Sequence, residues 1–250
     1  MKNTILVLTL VLGMFSAEAQ RVAPDVIKTS RGNLNIQPIE HATLVLTTAG
    51  KTIYVDPTAE GKERYKGLAA PDIIVVTDIH GDHADPAEIS ALKTAATIVI
   101  VPPVVAEKLK DIPADRLVIM KNGDTKEISG ISFTAIPMYN LPESANAMHT
   151  KGRGNGYVIK TGGKTLYISG DTQGIPEMRA LKNIDVAFVC MNLPYTMDVT
   201  EAADAVLAFQ PKIVYPYHYR GKGGLSDVNK FKSLVEAGKK NIEVRLRNWY

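Results

Sequence analysis

The chain has 250 residues, 45% apolar and 22% charged, a balance that excludes a disordered or fibrous protein. A formal net charge of +3 is too small to argue for nucleic acid, and no basic block is interleaved with aromatics. A single cysteine, Cys190, excludes an internal disulfide.

In chain order, Lys2 precedes an apolar run from Ile5 to Phe15, broken by Thr9 and Gly13 and followed by Ser16-Ala17-Glu18-Ala19. This pattern predicts a secretory signal peptide over residues 1–19, cleaved after Ala19. A membrane anchor needs roughly 18 apolar residues, more than this run supplies. Export across the inner membrane is therefore expected, with the periplasm as destination. Lys2 and Glu18 cancel, so the mature chain keeps its charge. Residues 20–250 can bury a sizeable core and show no linker, so one domain with no further membrane span is expected.

The next segments are β-rich: Leu34 to Ile39, Thr43 to Thr47 and Thr52 to Val55, with Ala49-Gly50-Lys51 marking a hairpin. Ile73 to Val76 is a continuous apolar run of the kind that both faces of a sheet bury. A helix (Pro86 to Lys93), a strand (Thr97 to Val101) and a helix (Val104 to Lys110) follow, then strands at Leu117 to Met120, Lys126 to Ser129 and Ile131 to Ile136. Pro137 to Asn155 has no periodicity, and its length marks it as a functional loop. Beyond it come strands at Gly156 to Lys160 and Leu166 to Ser169, a short helix after Pro176 and a strand at Asp185 to Cys190. A helix from Val199 to Phe209, a strand at Ile213 to Tyr215, a helix near Asp227 to Ala237 and a strand near Ile242 to Leu246 complete the pattern. Such an order permits two mixed sheets face to face with helices outside. No internal two-fold symmetry is visible. Cys190 sits in an apolar strand and reads as a core residue.

The chemistry concentrates in Asp78-Ile79-His80-Gly81-Asp82-His83, four potential metal ligands in a tight strand-to-helix turn. Asp85, Pro86 and Glu88 supply the cap, the first helical position and the capping-box acid of the helix that follows. Gly81 is expected to permit the sharp bend. A solvated polar loop is the bland alternative, but two of only five histidines fall in this turn. Asp171 and His218 each follow a predicted strand, and His149 lies in the long loop.

This order of ligands resembles the metallo-β-lactamase superfamily, from about Ile39 to Tyr219. Glu40-His41-Ala42, Val55-Asp56-Pro57 and Ser169-Gly170-Asp171-Thr172 are similar to the branch that holds ascorbate-6-phosphate lactonase and the phospholipase D that releases N-acylethanolamines. The resemblance implies an α/β fold, a four-layer αββα sandwich of two mixed sheets flanked by helices. It implies two divalent metal ions, one on Asp78, His80 and His149, the other on Asp82, His83 and His218, with Asp171 bridging. Where the family has its first histidine this chain has Asp78, a harder donor. Zinc is expected, with manganese or iron as alternatives. Asp78 also leaves open a weak first site and a mononuclear enzyme.

The implied reaction is hydrolysis of a small ester, lactone or phosphodiester by a metal-bound hydroxide, between ions about 3.5–4 Å apart. Asp82 or Asp171 would orient the nucleophile or shuttle its proton. Asp56 is expected either to orient a ligand histidine or to serve a plain turn, and His41 either to lie near the metals or to be structural. Tyr139 and Asn140 are alternatives to His149 as residues of the pocket. Tyr195, Tyr217, Tyr219, Arg220, Lys151 and Arg153 flank the ligand loops, where they either grip an anionic substrate or lie on a solvated surface. Two other readings stay open: a di-iron oxidoreductase and a non-catalytic metal-binding member of the fold.

Overall fold

The computed structural model describes residues 21–250, so the expected signal peptide lies outside the described residues. The first half of the chain forms a seven-stranded sheet in sequence order: β1 (Asp25–Thr29), β2 (Gly32–Glu40), β3 (Thr43–Thr48), β4 (Lys51–Val55), β5 (Ile73–Val75), β6 (Ile98–Val101) and β7 (Leu117–Ile119). Its neighbours pair antiparallel from β1 to β4 and parallel from β4 to β7. The second half forms another seven-stranded sheet from β8 (Thr125–Ile128), β9 (Ile131–Met138), β10 (Gly154–Thr161), β11 (Lys164–Ile168), β12 (Val186–Cys190) and β13 (Ile213–Tyr217). A small hairpin of β14 (Arg220–Gly221) and β15 (Gly224–Leu225) intervenes before β16 (Glu243–Val244) completes that sheet beside β13. Pairing is again antiparallel from β8 to β11 and parallel onward to β16. The two halves thus share one plan, a repeat that sequence alone does not display.

Side-chain alternation explains the layers. In β3, β4 and β5, Leu44, Leu46, Ile53, Val55, Ile73 and Val75 face the core between the sheets. Their neighbours Val45, Tyr54 and Ile74 face a second core under the helices. Both faces are dry, so these strands read as unbroken apolar runs. Each fully buried aliphatic side chain of this kind contributes about 1.5–3 kcal/mol. The outer layers hold α1 (Lys62–Tyr65), α2 (Pro86–Leu92) and α3 (Pro103–Ala106) on one side, and α4 (Pro176–Arg179), α5 (Val199–Phe209) and α6 (Val228–Ala237) on the other. The expected four-layer αββα sandwich is the observed fold.

Local differences have local causes. The helix expected from Val104 to Lys110 covers only Pro103–Ala106, and then turns in which Lys108 and Leu109 donate to the carbonyls three residues back. β-Branched Val104 and Val105 are weak helix formers, and the Lys108 ammonium reaches away to the Ile79 carbonyl at 2.8 Å. Strand β1, absent from the sequence reading, is an edge strand with one face in solvent. Asp85 caps α2 as predicted, accepting from the Glu88 amide at 3.1 Å. Gly81 has no left-handed φ, and a Cβ there would meet nothing within 4 Å, so the bend does not require glycine. Among the described residues no helix is long and apolar enough to cross a membrane.

Candidate metal centre

Every polar residue of the centre leaves the same edge of the sandwich, at strand ends or the loops beside them. His41 occupies the β2–β3 turn and Asp56 follows β4. Thr77 to His83 link β5 to α2, and His149 lies between β9 and β10. Asp171, Asn192 and His218 follow β11, β12 and β13 in turn. His41, Asp56 and His218 are held at φ of 54°, 45° and 46°. Such left-handed backbone in residues other than glycine costs about 1–3 kcal/mol each and persists where surrounding structure over-determines it. The His218 amide donates to the His41 carbonyl at 3.2 Å, tying two of these strained residues together. Gly170 is needed for a different reason. At φ +59° it turns β11 towards Asp171, and a Cβ there would stand 2.7 Å from the Met138 sulfur.

All five histidines of the chain meet here. Among the described residues, three groups have donor atoms within 4.8 Å of one another: Asp78, His80 and His149; His83, Asp171 and His218; and His41, Asp82 and His218. Asp171 stands in the middle, one oxygen 3.1 Å from His218 Nε2 and the other 3.3 Å from His149 Nε2 and 3.5 Å from His83 Nε2.

Hydrogen bonds behind the cluster fix which nitrogen faces it. The Asp56 carboxylate can only accept, and it takes the Thr77 amide (2.7 Å), the Thr77 hydroxyl (2.6 Å) and His83 Nδ1–H (2.9 Å). His83 therefore presents Nε2 to the centre, 3.2 Å from His218 Nε2. Likewise His41 directs Nε2–H at Asp82 Oδ2, 3.2 Å away, and accepts the Tyr250 hydroxyl at Nδ1 over 2.9 Å. His41 thus holds Asp82 in place.

These residues suit a cation. Both His149 ring nitrogens, Asp171 Oδ1 and His218 Nδ1 are buried without a hydrogen bond, an arrangement that is costly unless a ligand completes it. Two imidazole lone pairs also cannot face one another at 3.2 Å unless a proton or a metal lies between. With no ion bound, a proton takes that place. Burial disfavours charge on His83, but Asp171 and Asp56 outweigh it and raise its pKa well above the ordinary value. Burial also dominates at His218 and lowers its pKa. Against burial, the rings of His218 and His83 hold the Asp171 carboxyl well below its usual range. Asp78 is held at about 2, burial being offset by the His80 hydrogen bond and by the charges of His83 and Arg153. A cavity of about 310 Å³ opens at the cluster, lined by His80, Asp82, His149 and Asp171 together with Met148, Asn192 and Tyr195.

Residues 35–218 match the family model of the beta-lactamase superfamily domain. The chain belongs to the metallo-β-lactamase superfamily. This superfamily member is 31% identical over 216 residues to the UPF0173 metal-dependent hydrolase of Pyrococcus abyssi (strain GE5 / Orsay), covering 81% of this chain and 92% of the relative. A crystal structure from Parabacteroides distasonis ATCC 8503, assigned as a metal-dependent hydrolase, is 39% identical with a TM-score of 0.80, over 90% of this chain and 97% of that one. Igni18, a metallo hydrolase of Ignicoccus hospitalis KIN4/I, shares the fold at 22% identity and a TM-score of 0.71, over 86% and 95% of the two chains. The protein is an enzyme, a metal-dependent hydrolase of the metallo-β-lactamase superfamily.

The structure brings together Asp78, His80, Asp82, His83, His149, Asp171 and His218, and places His41 and Asp56 directly behind them. Tyr195 lines the cavity. Two other expected residues stand beside the centre, off the cavity lining. The Asn140 side chain is not on the cavity wall, because it bridges the His149 amide (2.8 Å) and the Tyr195 carbonyl (2.8 Å) and so anchors both loops. Arg220 is also outside the cavity, paired with Glu60 at 2.8 Å and Glu40 at 3.4 Å and stacked 4.7 Å over the Tyr250 ring. Lys151 pairs with Glu143 and Glu177 at 3.1 and 3.2 Å, and Arg153 grips Asp78. Each cation once considered for an anionic substrate is engaged by an acid. Tyr217 donates no chemistry to the cavity; its buried hydroxyl accepts the Gly170 amide at 3.1 Å.

Sequence reasoning missed Thr77, Asn192 and Tyr250. Asn192 alone had a readable signal, since it follows β12 as Asp171 follows β11 and His218 follows β13. Cys190 is buried as expected, its thiol pushed up to about 12 by desolvation and unreactive.

Proposed function

We propose that the enzyme hydrolyses a small ester or lactone, using two divalent ions, zinc first among them, held by the three aspartates and four histidines that converge beneath the cavity. The observation that carries this reading is the pair of buried donor atoms at the centre, His149 Nε2 and Asp171 Oδ1, that no protein hydrogen bond completes. Bound ions would supply Lewis-acid activation of water and of the scissile carbonyl. The remaining work falls to the chain. Asp171 sits between the two donor groups and suits a bridging role. Asp82 is the most accessible carboxylate of the set, at 36% exposure of its side chain, and His41 aims it. It is the group placed to orient an attacking water and carry its proton to the leaving group. Asn192 and Tyr195 supply neutral donors on the cavity wall for the oxygen on which charge develops.

The cavity is at the small end of ligand sites. Among the described residues lining it there is no lysine or arginine, and Met148 gives it an apolar side. These features favour an ester or lactone over a phosphodiester, which keeps the proposal close to the lactonase branch. The leader-like residues 1–19 support a periplasmic enzyme, and the mass of the mature N-terminus checks it.

The test is a panel of p-nitrophenyl esters, lactones and a p-nitrophenyl phosphodiester, run after chelator dialysis and again after zinc or manganese is restored. Ester or lactone hydrolysis that vanishes and returns with metal is the expected result. Hydrolysis indifferent to the chelator overturns the reading.

A further inference from the structure

The two halves of the metal centre differ in charge. On one side His83, Asp171 and His218 stand with Asp82, whose oxygens lie 3.6 Å from His218 Nε2 and 3.9 Å from His83 Nε2. Two carboxylates serve that position, and no arginine or lysine is paired with either among the described residues. On the other side Asp78 is the one acid that belongs to the group of His80 and His149 alone, the shared Asp171 reaching it with Oδ2 at 3.3 Å from His149 Nε2. The Asp78 oxygens are already gripped by a guanidinium, Arg153 Nε donating to Oδ1 at 3.1 Å and Nη2 to Oδ2 at 2.7 Å. The pair is well shielded, with Asp78 fully buried and the Arg153 side chain 20% exposed. Arg153 is further fixed by donating Nη1 to the Met148 carbonyl, next to His149 in the same loop.

We propose that Arg153 is a built-in counter-cation of Asp78 that makes the two metal positions unequal, tight at His83, Asp171, His218 and Asp82 and weak at Asp78, His80 and His149. The inference rests on the metal assignment proposed above. A carboxylate has lone pairs enough for an arginine and an ion at once, so Asp78 stays a competent ligand. Its charge, however, is already balanced. A second dication meets a site whose own carboxylate is neutralised and which has only a share of Asp171, with a positive guanidinium behind it, in a setting where solvent screens little. A bidentate fork of this kind is also among the stronger charge-assisted contacts, and it holds Asp78 in one orientation.

Calorimetric titration of Zn²⁺ into the full chain, stripped by chelator, tests it. The wild type is expected to take one ion tightly and a second weakly. Arg153→Met keeps the apolar stem and removes the charge. It should tighten the second step on the order of tenfold or more and leave the first unchanged. Arg153→Lys, which retains charge without the fork, should stay near the wild type. Asp78→Asn should lose the second step in either background. A thermal readout stands beside these: stripped Arg153→Met, left with an unbalanced buried carboxylate, should melt lower than the wild type and gain more from Zn²⁺. Should the wild type take up one ion alone, appearance of a second in Arg153→Met supports the proposal. A second step that is unchanged, weakened or still absent in Arg153→Met overturns it, and so do two equal steps in the wild type. Loss of the tight step from the wild type itself would instead defeat the metal assignment.

Discussion

The two sheets follow the same plan yet use it differently at the metal centre. In each, the connection between the second and third strands carries a histidine, His41 in the first and His149 in the second. After the fourth strand of each comes an aspartate, Asp56 and Asp171. In the second sheet both members of this pair offer free donor atoms to the centre. In the first they stand behind it, Asp56 orienting His83 and His41 orienting Asp82. The fifth position reverses the imbalance. The turn after β5 holds Asp78, His80, Asp82 and His83, whereas that after β12 holds Asn192. A repeated scaffold has thus divided its labour, one half crowding potential ligands into a single turn and the other spreading them over several loops.

That division predicts unequal mutants at equivalent places. Asp171→Ala should cost activity about a thousandfold, near 4 kcal/mol of barrier, and lower the metal content. Asp56→Asn, at the matching place, should cost about 10–100-fold, as loss of a group that orients a ligand does. Kinetics and elemental analysis of the two variants check this. Equal losses would mean that Asp56 is more than a support.

Metal uptake sharpens the comparison further. An ion must displace the proton that Asp171 and Asp56 stabilise on His83. Zinc affinity measured by competition should therefore rise about tenfold per pH unit for each proton released, and go on rising above pH 6.5. The sign for stability is opposite. His83 binds its proton more tightly when folded, so the ion-free protein has this stabilisation in full below pH 6.5 and loses it as the pH climbs through the raised value.

The smallest effects separate two glycines. Gly170→Ala forces a Cβ towards the Met138 sulfur at a positive φ and should cost about 1–3 kcal/mol in chemical denaturation. Gly81→Ala, in the turn richest in ligands, should change stability by less than about 0.5 kcal/mol.

Much of this was legible beforehand. The apolar runs of β5 and β12 announced buried strands, and four potential ligands in six positions announced the cluster of acids and histidines at the strand ends. His149 was found by its rarity and by resemblance, because an aperiodic loop gives no register from which to place a side chain. Arg153 was read as either a grip for an anionic substrate or a surface cation, since nothing in the spacing of residues 78 and 153 foretells a two-pronged hold on Asp78. Tyr250 and Thr77 were invisible for the same reason: a hydroxyl that braces a histidine announces itself only when the chain has folded. The repeat stayed hidden because it is a repeat of topology, not of residue types.

The exposed turn at Gly123, which joins one sheet to the next, carries a practical consequence. A protease cut there would release two pieces that each own a whole sheet, with inner faces made to cover one another. Co-expressed as separate polypeptides, they would have strong reason to reassemble, and catalysis could be switched on by bringing them together.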